Sequence, residues 1–185
     1  MGISASYNLK LLQAGVSNRE EISKYTQLLK EVKEKFGNNF TPELDKICGI
    51  LAKDPNATVE DVELMYNQIK QEGIAGKNGT SNLQKLNSFH TTLKMIPEYK
   101  NIKLTSENIR DLLKIYNTCY KAPRDGMTGE ATFFAEATKY IEDLNKKEID
   151  LNIEKDNRIE INKNIKKVGF EYYADLNKLM INRSK

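Results

Sequence analysis

The chain has 185 residues, of which 39% are hydrophobic and 30% charged, and it carries a net charge of +3. This composition lies within the globular range, and the length is sufficient for one domain with a buried core. The small net charge argues against a nucleic-acid-binding protein, which usually has a strongly basic face. No apolar run approaches the ~20 residues of a membrane-spanning helix, so no transmembrane segment is expected.

The first fifteen residues predict no signal peptide but contain a lipidation pattern and a short helix. No basic stretch precedes an apolar run, so the sequence predicts no secretory signal peptide. Gly2, with Ser6 at the sixth position, fits the short pattern for N-myristoylation. The apolar stretch from Ser4 to Ala14 predicts a short helix that ends at Gly15.

Start and stop residues divide the next part of the chain into five amphipathic helices, each with apolar residues spaced three and four apart. The predicted N-caps are Ser17, Thr41, Thr58, Ser81 and Thr105 or Ser106. The predicted stops are Gly37, Asp54-Pro55, Gly73, Pro97 and Pro123. Capping boxes are expected for the pairs Ser17–Glu20 and Thr58–Asp61.

The C-terminal third, from Thr128 to Lys185, is the only long element on which these short helices could pack. It opens with a helical run whose predicted inner face is Phe134, Ala137, Ile141 and Leu144. It closes with a second helical seam formed by Ile161, Ile165, Val168, Tyr172, Leu176 and Leu179.

Between those runs, from Lys146 to Asn164, the pattern changes and two structures remain open. Apolar and polar residues alternate, which favours a β-hairpin of Glu148–Ile153 and Arg158–Asn162 around Lys155-Asp156-Asn157. Long stretches of Lys and Glu favour instead one continuous helix of some fifty residues, ~75 Å long.

The predicted fold is therefore a mainly α, single-domain bundle of six to eight helices, with a β-hairpin arm near residues 148–162 as one alternative. Residues 1–123 form the part with short helices. Residues 124–185 form either long helices or a helix–hairpin–helix. The domain is expected to span residues 1–185.

The sequence lacks the common signatures of enzymes, so we predict no catalytic residue, no cofactor and no metal site. His90 is the single histidine, and Cys48 and Cys119 are far apart, so a local zinc site of nitrogen and sulfur ligands cannot form. The loop from Gly73 to Thr80 lacks the glycine spacing and the Lys-Ser/Thr pair of a phosphate-binding loop. Both cysteines lie on apolar helix faces and are expected to be buried, reduced thiols, which favours a reducing compartment.

One stretch resembles a known repeat. Leu44-Asp-Lys-Ile-Cys-Gly-Ile-Leu-Ala-Lys, a short turn, and Val62-Glu-Leu-Met-Tyr-Asn-Gln-Ile-Lys-Gln-Glu-Gly-Ile74 together resemble one pentatricopeptide or tetratricopeptide helical hairpin. No second copy follows at the period of 34–35 residues that such repeats need for stacking. The resemblance implies helix-hairpin geometry and assigns no functional residue.

The leading functional expectation is a non-catalytic interaction protein that acts as an adaptor, effector or inhibitor on a partner protein. One alternative is an enzyme with a scattered site of carboxylates, Tyr and Lys, and the other is a nucleic-acid-binding helical protein. A homo-oligomer is possible, and the expected location is the cytoplasm or another reducing compartment, including a host cell after delivery. The candidate interaction residues are Ile149, Leu151, Ile153, Ile159, Ile161, Tyr172 and Tyr173.

Overall fold

The computed structural model describes the backbone of residues 18–183 and the side chains of residues 18–163, and this part of the chain is mainly helical. Six α-helices follow one another: α1 Arg19–Phe36, α2 Pro42–Leu51, α3 Val59–Glu72, α4 Asn82–Lys94, α5 Ser106–Lys121 and α6 Gly129–Arg183. Short 3-10 helices occupy Gly37–Asn39 and Pro97–Lys100. The predicted helical fold class is confirmed, while the predicted helix at Ser4–Ala14 and the Gly2 motif lie outside the described residues.

Most helix starts agree with the sequence signals because the capping side chains satisfy free backbone N–H groups. The observed caps of α2 to α5 are Thr41, Thr58, Ser81 and Thr105. The prediction of Ser17 as the cap of the first described helix is wrong. Asn18 takes that role, and its Oδ1 accepts a hydrogen bond from the N–H of Glu20 at 2.8 Å.

The chain clusters into two units, Met1–Ile141 and Glu142–Lys185. In the first unit, α2 packs against α1, α3 and α4, and every residue from Lys46 to Leu51 is buried. The described short helices of this unit therefore pack chiefly on α2, and only the start of the C-terminal third joins their core. Its centre is the shortest described α-helix, which is buried because it is apolar on nearly all sides.

The start of α6 completes the core of the first unit, with a register that differs from the predicted one. Phe133, Ala137 and Ile141, spaced four residues apart, are fully buried, whereas Phe134 is only half-buried. The prediction that Phe134 faces the core is wrong. Phe133 is the phenylalanine that faces the core, because its ring packs against the rings of Tyr116 and Phe89 at centroid distances of 4.9 Å and 5.6 Å.

Two buried polar side chains fasten loops to helices in this unit. The carboxylate of Asp54, just after α2, accepts hydrogen bonds from the N–H and the hydroxyl of Ser106 at 2.8 Å and 2.9 Å. It thereby satisfies a free N–H at the start of α5. Asn117 of α5 accepts from the N–H of Ala75 at 2.8 Å and donates to the carbonyl of Gly73 at 3.2 Å, which fixes the loop after α3.

The second unit, Glu142–Lys185, is helical from its start to Arg183, so the predicted β-hairpin near residues 148–162 is wrong and the continuous helix is observed. The physical reason lies in local propensity: Lys, Glu, Ile and Leu between Lys146 and Asn164 are tolerated in a helix. An intrahelical ion pair from Arg158 Nη2 to Glu154 Oε1, at 2.6 Å and one turn apart, adds support. A lone hairpin, by contrast, is only marginally stable in water.

Candidate functional site

The described part of α6 contains a dense group of exposed hydrophobic side chains, which we call the α6 apolar segment (residues 149–161). Eight large hydrophobic side chains are exposed among residues 18–163, and five of them lie in this segment. Their exposed fractions are 49% for Ile149, 64% for Leu151, 53% for Ile153, 45% for Ile159 and 55% for Ile161. All five were predicted as interaction candidates, and the structure places them on one helix.

The five side chains point in different directions around the helix axis. At ~100° per residue, Ile149 and Ile153 lie ~40° apart, whereas Leu151 lies about 160° from each of them. Ile159 and Ile161 fall into the gaps between these positions, each ~80° from its nearest apolar neighbours. The segment therefore lacks a single apolar stripe. A helix that is apolar on all sides is normally covered on more than one side.

Tyr172 and Tyr173, the other two predicted interaction residues, lie on the same helix, whose backbone continues to Arg183. Their side chains lie outside the described part of the chain, as does the predicted seam after Ile161. Their role in an interaction surface stays a prediction.

A second feature lies in the first unit, where sequence analysis expected no site. A cavity of about 440 Å³ is bounded by the start of α1, the loop after α2, the end of α4 and the 3-10 helix that follows it. Its lining includes three lysines, one glutamate and the single histidine: Lys53, Lys94, Lys100, Glu21 and His90. We call it the lysine cavity.

Lys53 is the most constrained of these side chains. It is 7% exposed, and its Nζ lies 3.4 Å from both Glu21 Oε1 and the carbonyl oxygen of Lys100. The same Nζ stands 4.4 Å from the centre of the Tyr99 ring. Burial lowers the pKa of Lys53, and the charge of Glu21 partly opposes that shift. The Lys53 ammonium is therefore largely compensated by groups of the protein itself, namely the Glu21 carboxylate, the Lys100 carbonyl and the Tyr99 ring.

His90 is 3% exposed, and its Nδ1 has no hydrogen-bond partner among the described residues. Burial lowers its pKa well below the ordinary value, and the charges of Lys46, Lys94 and Lys53 lower it further. The imidazole is therefore neutral at neutral pH. The cavity has a modest excess of positive charge that could attract a small anion, but Lys53 is already paired with Glu21.

Sequence analysis missed the buried lysines of this region, although a signal for one of them was present. Lys46 lies in α2 between Leu44 and Ile47, on a helix with apolar residues on nearly all sides, and it is 7% exposed. Burial lowers its pKa from 10.5 to about 8; the charge of Lys94 adds to this and Asp45 opposes it. A lysine within such an apolar helix should have been predicted as buried.

The thiols lie where the sequence placed them. Cys48 and Cys119 are both free and buried. Burial raises the pKa of Cys48 to about 12, with the negative charge of Asp45 contributing, and burial also raises the pKa of Cys119. Since the thiolate is the reactive form, neither thiol is activated as a nucleophile.

In the described part of the chain, His, Cys, Asp and Glu side chains form no group of three or more that could hold a metal ion. None of its helices is long and apolar enough to cross a membrane. No family model, curated protein or solved structure matches the chain. Residues 44–74, which resemble a repeat hairpin in sequence, cover most of two consecutive helices that pack together, α2 and α3.

Proposed function

We propose that the chain is a non-catalytic interaction protein. It binds helical segments of a partner protein through its α6 apolar segment. The observation that carries this proposal is the concentration of five exposed Ile and Leu side chains within thirteen residues. Scattered exposed hydrophobic residues are normal in a monomeric protein, but a dense group marks an interaction surface.

Burying an Ile or Leu side chain completely is worth ~1.5–3 kcal/mol. The five side chains of the segment are each roughly half exposed, so a partner that covered them would recover a substantial part of that free energy. Because the side chains surround the helix, the partner must contact α6 on more than one side, as neighbouring helices in a bundle do.

The location that fits this role is a reducing compartment, either in the cell of origin or in a host cell after delivery. The support is that both cysteines are free and buried in the same helical unit. Intracellular proteins commonly keep such thiols reduced. The adaptor, effector and inhibitor roles all remain compatible with a helix-binding surface.

Affinity capture with a matched pair of variants tests the proposal. Leu151→Ala removes a side chain that is 64% exposed in the segment, and Leu64→Ala makes the same change at a side chain that is 53% exposed on α3. We expect Leu151→Ala to reduce partner capture by the full chain, and Leu151→Ala combined with Ile153→Ala to reduce it at least tenfold. Leu64→Ala should leave capture unchanged.

A purified candidate partner should then be titrated by calorimetry against the wild-type chain and both variants. Binding that is equally strong for wild type and for the Leu151/Ile153 variant would place the contact elsewhere and refute the proposal. Circular dichroism of each variant must show the wild-type helix content, so that a loss of binding is not a loss of folding.

A further inference from the structure

We infer that the α6 apolar segment binds a second copy of this chain, with the two α6 helices side by side and antiparallel. This inference rests on the proposed function and names the partner of the same surface. The observation that carries it is the distribution of charge along the helix, which is independent of the exposure of the apolar residues.

The charges between Glu142 and Lys167 are balanced overall but separated along the chain. Residues 142–154 contain five acidic and two basic side chains, a net charge of −3. Residues 155–167 contain two acidic and five basic side chains, a net charge of +3. Both halves belong to one uninterrupted helix. The helix is therefore a charge dipole centred between Glu154 and Lys155.

Such a helix is complementary to itself in one orientation. In an antiparallel pair centred at residues 154 and 155, each acidic half lies beside the basic half of the other copy. In a parallel pair, the acidic halves would lie together and the basic halves would lie together, and both contacts would be repulsive. The individual pairs are exposed and each contributes little to affinity. Their combined pattern selects the orientation, whereas the apolar side chains supply the affinity.

The distribution of the apolar side chains adds a condition on the number of copies. Because they surround the axis, one neighbouring helix covers only part of them. An assembly in which every neighbour is antiparallel contains an even number of helices. We therefore expect an even oligomer, a dimer at the least, with the central part of the α6 apolar segment at each contact.

The mass of the full chain in solution, measured by light scattering or sedimentation over a range of concentrations, tests the inference. The expected mass is an even multiple of 21.2 kDa. Raising the salt concentration should weaken the association, because ions screen exposed charges. A monomer at all concentrations, or an odd oligomer, would overturn the inference.

Charge-reversal variants test the pattern itself. Glu148→Lys, Asp150→Lys and Glu154→Lys together make both halves positive, so the dissociation constant of self-association should rise at least tenfold. Lys155→Glu, Arg158→Glu and Lys163→Glu together make both halves negative and should have the same effect.

An equimolar mixture of the two triple variants should associate again, because each half then meets the opposite charge. A control with Glu34→Lys, Glu72→Lys and Glu107→Lys has the same net charge as the first variant, with the changes at exposed positions on α1, α3 and α5. This control should self-associate as the wild type does. If the control does not self-associate, or if the mixture of the two triple variants does not associate, the weaker self-association comes from general charge repulsion. The separation of charge along α6 would then not be its cause.

A single spin label at Lys146→Cys, an exposed position on α6, reports the orientation directly. In the antiparallel pair the labelled residue lies beside residue 163 of the other copy, so the two labels are ~25 Å apart along the axis. In a parallel pair they would be separated only by the distance between helix axes, ~10 Å. If the mass is that of a dimer, the short distance would overturn the antiparallel arrangement.

The outcomes distinguish this inference from the proposed function on which it rests. A monomeric chain whose capture of another protein still depends on Leu151 and Ile153 would overturn self-association and leave the interaction surface in place. A chain that neither self-associates nor loses capture on those substitutions would overturn both.

Discussion

The same substitution at two leucines separates a core position from an exposed one. Leu51 in α2 is fully buried, and Leu51→Ala leaves a cavity at the centre of the first unit. Such a change typically costs about 2–5 kcal/mol in the free energy of unfolding. Leu151 in α6 is 64% exposed. Only about a third of its side chain is removed from water, and alanine is the better helix former, so Leu151→Ala should change the free energy by less than ~0.5 kcal/mol.

Urea unfolding followed by circular dichroism measures both values, provided that it is repeated at two protein concentrations. Self-association would stabilise the folded state more at the higher protein concentration, so an apparent cost of Leu151→Ala that grows with concentration reports a lost contact between copies. A cost above about 2 kcal/mol at the lowest concentration would mean that Leu151 is a core residue of the single chain. That result would refute the exposure on which the functional argument depends.

Three further predictions concern the first unit. Lys46→Met should be most favourable relative to the wild type below pH 8, since burial lowers the lysine pKa from 10.5 to about 8. Below pH 8 the wild type carries the full cost of burying the charge, and that cost disappears as the pH rises to 10.5, so the advantage of the variant in urea unfolding should shrink across that window. Asp54→Ala should cost about 1–3 kcal/mol, because two donors of Ser106 lose their acceptor, while Asp54→Asn should cost less; equal costs in urea unfolding would contradict this. Cys48 and Cys119 should react with a thiol reagent only in denaturant, and rapid labelling of the native protein would show that one of them is accessible.

The helices of the first unit could be predicted from sequence because their ends are marked by local chemistry. Thr58 and Asp61 form a capping box whatever the rest of the chain does, and the same holds for Ser81 with Gln84. Which of two adjacent apolar residues faces the core is not marked by local chemistry. Phe133 rather than Phe134 faces the core because of the rings of Tyr116 and Phe89, which are distant in sequence. Local spacing does not contain that information.

The lysine cavity likewise could not be predicted from local sequence, because it depends on contacts between residues that are distant in the chain. Lys53 and Glu21 are separated by more than thirty residues, and their ion pair exists only because the fold brings α1 and the loop after α2 together. The sequence analysis assigned His90 no role as a metal ligand or base, and its burial near Lys46, Lys53 and Lys94 could not be read from its neighbours in sequence. The five residues of the α6 apolar segment were interaction candidates in the sequence analysis, and the structure shows them exposed on one helix; their role in binding stays a prediction.

The alternation of apolar and polar residues between Ile149 and Ile161 was the strongest argument for a strand, and it acquires a different meaning in a helix. Residues two apart on a strand share a face, whereas on a helix they lie ~200° apart. Alternation therefore distributes apolar side chains around the whole axis and gives no stripe for one neighbour. A helix with that pattern is exposed when the chain is alone and covered only when several neighbours surround it. The pattern that favoured a strand in the sequence analysis is thus the one from which we propose assembly, and the separation of charge along α6 is the reason that we propose a second α6 as the neighbour.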